Sequence, residues 1–145
     1  MISQALTSSR AERLPRILLV DDDRHVRRML VRGLERAGLE VIQACNGRDA
    51  LYKLRHERFD AVVCDVRMPV MNGIELLEAL AHESLDVPVL LMSGSLEVSD
   101  LQTAGQLGVV DFLKKPFPIA ELQTRALRAA TNRIDDPSPP LESQR

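Results

Sequence analysis

Residues 59–73 read FDAVVCDVRMPVMNG, and the fold follows from the change of character at Asp65. Phe59–Cys64 is almost wholly apolar, the pattern of a central parallel strand covered on both faces. Asp65 ends the run, and the loop VRMPVMNG follows. Four more short apolar runs repeat the arrangement. ILLV runs into Asp21 and Asp22, VPVLLM into Ser93, VVDFL into Lys114 and Lys115, and EVIQA into Cys45. The last of these carries no group comparable to the others.

Helical periodicity fills the intervals. Arg24–Ala37 places Val26, Met29, Leu30, Gly33, Leu34 and Ala37 at helical spacing, with Asp23 as N-cap and Gly38 as stop. Asn46-Gly47 marks a turn before a helix over Arg48–His56, and Ile74–His82 forms a third. Leu96–Leu107 is a weak fourth, since Gly105 costs about 1 kcal/mol relative to alanine and Val98 and Thr103 are poor helix formers. Pro118–Thr131 closes the series, with Pro118 suited to a first turn. Strands are predicted over Arg16–Val20, Leu39–Ala44, Phe59–Cys64, Val87–Met92 and Val109–Leu113. Such alternation implies a doubly wound α/β fold, a parallel sheet with helices on both faces.

Bulk properties narrow the class. The chain has 145 residues, enough for one domain, and 45% hydrophobic and 28% charged residues, ordinary for a globular protein. A net charge of −2 gives no global argument for nucleic acid or membrane binding. No apolar stretch approaches the roughly 18 residues of a membrane span. Residues 1–14 are expected to be a disordered leader, and the polar, proline-rich residues 132–145 a disordered tail. No output domain is expected, and neither tail has a nucleic-acid signature. Cys45 and Cys64 form no metal-binding or disulfide pattern. Both are expected as buried free thiols at strand ends, and a reducing cytoplasm is the simplest setting.

In an open parallel sheet, ligands bind at the carboxyl edge of the strands, where the run-ending residues gather. Adjacent carboxylates at Asp21 and Asp22 need a compensating cation, and Mg²⁺ prefers such oxygen ligands together with a substrate phosphate. Asp65 beside a metal can attack a phosphoryl group and become an acyl phosphate. Lys115 would hold a phosphate oxygen and Ser93 would donate a hydrogen bond to it. A residue one position earlier in the strand faces the other way, so Lys114 is read as exposed. A cis bond at Lys115-Pro116 is expected to aim the lysine back toward the edge.

These segments, in this order, closely resemble the receiver domain of two-component response regulators, over about residues 15–131. ILLVDDD resembles its acidic-pocket motif, FDAVVCDVRMPVMNG its phosphoacceptor segment, LLMSGS its switch-hydroxyl segment and DFLKKPF its lysine segment. The resemblance implies a flavodoxin-like (βα)5 fold with strand order 2-1-3-4-5. It implies Asp65 as phosphoacceptor, and Asp22 and Asp65 as direct Mg²⁺ ligands. Asp21 would act through water, and the backbone carbonyl of Arg67 would complete the set. Ser93 and Phe112 match the switch pair, with phenylalanine removing any phenolic hydrogen bond. Arg67 and Ser95 lie where family members tune acyl-phosphate lifetime.

A sensor histidine kinase or a histidine phosphotransfer protein is the implied donor. A protein partner is implied for the face of the fourth helix, last strand and last helix; dimerisation stays open. Arg24, Arg27, Arg28, Arg32 and Arg36 on the first helix read equally as a solvated basic face or a docking surface. Two other classes remain. A receiver-fold module could signal without phosphate, and a small haloacid-dehalogenase-like phosphohydrolase would use Asp21 and Asp23, leaving Asp65 idle.

Overall fold

The computed structural model describes residues 13–95 and 97–135. Five strands, β1 (Arg16–Val20), β2 (Glu40–Ala44), β3 (Ala61–Asp65), β4 (Val89–Ser93) and β5 (Asp111–Lys114), alternate with five helices. These are α1 (Arg24–Arg36), α2 (Gly47–His56), α3 (Gly73–His82), α4 (Val98–Gln106) and α5 (Ile119–Asp135). The sheet is parallel throughout, in the order β2-β1-β3-β4-β5, which is the flavodoxin-like arrangement.

The two-residue period of a strand decides which helix each side chain meets. Ile17, Leu19, Ala61, Val63, Leu90 and Met92 are buried with Leu30 and Leu34 of α1 and Leu122, Ala126 and Ala130 of α5. Their strand neighbours Leu18, Val20, Val62, Cys64, Val89 and Leu91 pack with α2, α3 and Ala104 of α4. Both faces of β1, β3 and β4 are thus apolar, and polar residues appear only where the strands end.

Caps set the helix boundaries. Asp23 accepts hydrogen bonds from the N–H groups of His25 and Val26, Asn46 from Asp49, and Asn72 forms a capping box with Glu75. Each satisfies amides that the first turn leaves unpaired. Gly38 adopts φ +90° just beyond α1, a conformation that favours glycine at a helix end.

Several expectations need correction. Helix α5 runs to Asp135, four residues into the segment read as a disordered tail. No proline or glycine stands between Thr131 and Asp135, and an established helix adds residues far more easily than it nucleates. Pro118 stands before α5 rather than inside it, its carbonyl accepting the Glu121 amide at 3.0 Å. Strand β5 begins at Asp111 rather than Val109, because the Val109 N–H closes the end of α4 on the Ala104 carbonyl at 3.1 Å. Cys45 is exposed, not buried, since it lies one residue beyond the edge strand β2. The leader over residues 1–12 and the tail over residues 136–145 lie outside the described residues.

Candidate functional site

The register of the central strands brings the acids together. Val20 of β1 lies opposite Cys64 of β3, so the next step along each strand reaches Asp21 and Asp65. Asp21, Asp22 and Asp65 each offer a carboxylate oxygen, and these lie within 4.8 Å of one another. Lys115 reaches in from the end of β5, with Nζ 3.1 Å from Asp65 Oδ2 and 3.9 Å from Asp21 Oδ2. The Lys115-Pro116 peptide bond is cis. Lys114 is exposed.

Asp21 is the more deeply buried of two buried members, 1% exposed against 8% for Asp65. Its Oδ1 accepts the Asp23 N–H at 2.9 Å. Its Oδ2 has no hydrogen-bond partner among the described residues, with Lys115 in ion-pair range but beyond hydrogen-bond reach. Burial raises its pKa above the ordinary carboxylate value, and the Asp65 and Asp22 charges add to that. The Asp23 amide and the Lys115 ammonium oppose it. Three acids facing one ammonium, with a buried oxygen left over, suit a small divalent cation with oxygen ligands. Asp65, Asp21 and Asp22 are the side chains that could hold it.

Other expected residues stand around this cluster without joining it. The Arg67 N–H donates to Asp65 Oδ1 at 3.3 Å, and its side chain is exposed. Ser93 is buried, and its hydroxyl accepts the Ser95 N–H at 3.1 Å; it makes no hydrogen bond to Asp65 among the described residues. Phe112 is half-buried against the α2–α3–α4 side of the core. Asp23, which a phosphohydrolase would need as its acid, is turned to cap α1, while Asp65 lies at the centre. Cys64 is buried and burial pushes its thiol pKa up, which leaves the protonated, unreactive form.

Two supporting residues were not singled out from sequence. Gly73 begins α3 beside Asp65, and its N–H donates to the Val66 carbonyl at 2.8 Å. A Cβ there would stand 2.8 Å from the Asp65 carbonyl and 3.0 Å from Val66 Cα, so only glycine lets the helix approach. The glycine after a capping asparagine was the available signal. Val70 adopts φ +73° in the β3–α3 loop, which no pattern of residue types announces for a β-branched side chain.

Comparison with known proteins agrees with this geometry. The model of the response regulator receiver domain matches residues 17–127. The chain is 42% identical over 111 residues to the transcriptional regulatory protein PrrA of Mycobacterium tuberculosis, covering 77% of this chain and 48% of PrrA. It is 40% identical over 120 residues to the probable transcriptional regulator ycf27 of Pyropia yezoensis, covering 83% and 49%. The chain therefore spans about half the length of the curated relatives it matches. Chemotaxis protein CheY4 of Vibrio cholerae superposes with a TM-score of 0.75 at 34% identity, over 81% of this chain and 99% of CheY4. A CheY-like receiver domain protein of Methanospirillum hungatei gives 0.80 at 25%, over 86% and 99%. With its acids, hydroxyl and lysine at the carboxyl edge of a 2-1-3-4-5 sheet, the chain belongs to the response regulator receiver domain family.

Proposed function

We propose that the chain is a phosphorylation switch in which Asp65 accepts a phosphoryl group from a phosphohistidine. One observation carries this reading: the Asp65 carboxylate lies between a lysine ammonium and two further carboxylates, one of them with a buried oxygen that accepts no hydrogen bond among the described residues. An Asp65 oxygen bonds to phosphorus while the P–N bond breaks and the imidazole nitrogen leaves with the electron pair, giving an acyl phosphate. Asp22, Asp65 and the Arg67 carbonyl would hold Mg²⁺ directly and Asp21 through water, and the ion would neutralise charge on the transferring oxygens. Lys115 shifts from the Asp65 carboxylate to a phosphoryl oxygen. The Ser93 hydroxyl exchanges its bond with Ser95 for one to the phosphoryl group, and Phe112 follows it inward. The α4–β5–α5 face thereby presents a changed surface to a protein partner.

The donor would come from a histidine kinase or a phosphotransfer protein. An open apolar groove beside the acceptor supports a docking place for it. Val26, Met29 and Leu30 of α1 line one side and Pro116, Phe117 and Ile119 the other, with Lys115 between. Met29 is 66% exposed, and Arg24 and Arg28 are exposed on the same helix.

Incubation with Mg²⁺ and acetyl phosphate tests the reading by intact mass. A gain of one phosphoryl group in the wild type and none in Asp65→Asn is expected. No modification of the wild type under any condition would favour a module that signals without phosphate.

A further inference from the structure

The edge strand β2 contributes no group to the acceptor site, yet it braces that site through a side chain of α1. Arg24, Arg28, Arg32 and Arg36 are exposed, whereas Arg27 is half-buried. Its Nη1 donates to the Asp21 backbone carbonyl at 2.7 Å, and its Nε to Gln43 Oε1 of β2 at 3.2 Å. We infer that Arg27 is a positioning residue for the metal-binding acids, acting on the Asp21–Asp22 peptide and not on the metal. The inference rests on reading the three acids as a Mg²⁺ site.

The Asp21 carbonyl and the Asp22 N–H belong to one planar unit, so holding the carbonyl sets the direction in which the chain delivers Asp22. The other anchors of Asp21 are already in place: its N–H donates to Ala44 O at 3.2 Å and its Oδ1 accepts from Asp23. Asp22 has no such support. Its side chain is exposed, and among the described residues its carboxylate makes no hydrogen bond. Its position is therefore set by the backbone, and Arg27 restrains that backbone through a charge-assisted bond. The planar guanidinium suits the task because two of its edges reach different partners at a fixed angle, which a lysine cannot do.

Electrostatics and positioning predict opposite signs when Arg27 is removed. Deleting a cation near an acidic site would by itself tighten Mg²⁺ binding. Loss of positioning weakens it, by about tenfold for a residue that holds a ligand without touching the metal.

The experiment measures Mg²⁺ affinity of the full chain by titration calorimetry and Mn²⁺ affinity by electron paramagnetic resonance. Arg27→Ala should bind both about tenfold more weakly, and Arg28→Ala no more weakly than wild type. In an Asp22→Asn background, Arg27→Ala should cost almost nothing further, because the carboxylate it positions is gone. Wild-type or tighter binding in Arg27→Ala overturns the inference. So does an equal loss in Arg28→Ala, or an equal loss with and without the Asp22 carboxylate. Should Arg27→Ala fail to fold, Gln43→Ala removes only the brace on Arg27 and should weaken Mg²⁺ binding in the same direction; unchanged affinity there overturns the inference. A wild type that binds no Mg²⁺ overturns the metal-site reading as well, whereas wild-type binding with unaltered variants overturns the positioning role alone.

Discussion

At Asp21, ionisation and folding oppose each other. Burial holds the carboxyl pKa above its ordinary value, so its charge costs stability at pH above the folded pKa. The cost vanishes as pH falls below the ordinary carboxylate value, where folded and unfolded chains are both protonated. In chelator at neutral pH, Asp21→Asn should therefore be more stable than wild type, by on the order of 1–2 kcal/mol for one relieved buried group. Urea denaturation should show that gap closing as the solution is acidified, and reversing at neutral pH when Mg²⁺ is saturating. A second residue-scale effect sits at Val70, 66% exposed with φ +73°. A β-branched residue in that region is strained by about 1–3 kcal/mol, while asparagine tolerates it. Val70→Asn should raise the urea midpoint, for a gain of about 1 kcal/mol.

The helices differ in how firmly they are held, and α4 is the weak one. Its N-cap residue Glu97 makes no side-chain capping bond among the described residues, and Gly105 leaves open space where a Cβ would stand. Gly105→Ala should stabilise the protein by about 0.5–1 kcal/mol and slow amide exchange across Val98–Gln106 in particular. Helix α3 behaves in the opposite way, since its first turn is pressed against the end of β3. Gly73→Ala should destabilise by about 1–3 kcal/mol and slow phosphorylation by acetyl phosphate, because the atoms an added Cβ would crowd most are the Asp65 carbonyl oxygen and Val66 Cα. The element order and the caps at Asp23 and Gly38 were legible in the residues. The ends were less so. The amides of Val109 and the carbonyl of Pro118 have uses set by neighbouring elements, and the reach of α5 to Asp135 needed a helix already formed before it.

For the whole molecule, metal binding and folding are one equilibrium. A ligand bound only by the folded chain at a hundred times its dissociation constant stabilises by about 2.7 kcal/mol. Thermal denaturation should show Mg²⁺ raising the midpoint of the wild type, chelation reversing it, and Asp22→Asn abolishing most of the shift. Sequence by itself determined the alternation of strand and helix, the two-faced burial of the central strands and the polar residue at each strand end. These are local, because hydrophobic period and turn chemistry are written in neighbouring residues. What only the tertiary structure decided is which of those polar groups meet. The run-ending residues Asp21, Asp65 and Lys115 lie dozens of positions apart, and the strand register sets their separation. The pairing of β1 with β2 likewise lets Gln43 on the outermost strand steady Arg27 against Asp21. Contacts of that kind depend on distances between elements, and no pattern along the chain encodes a distance.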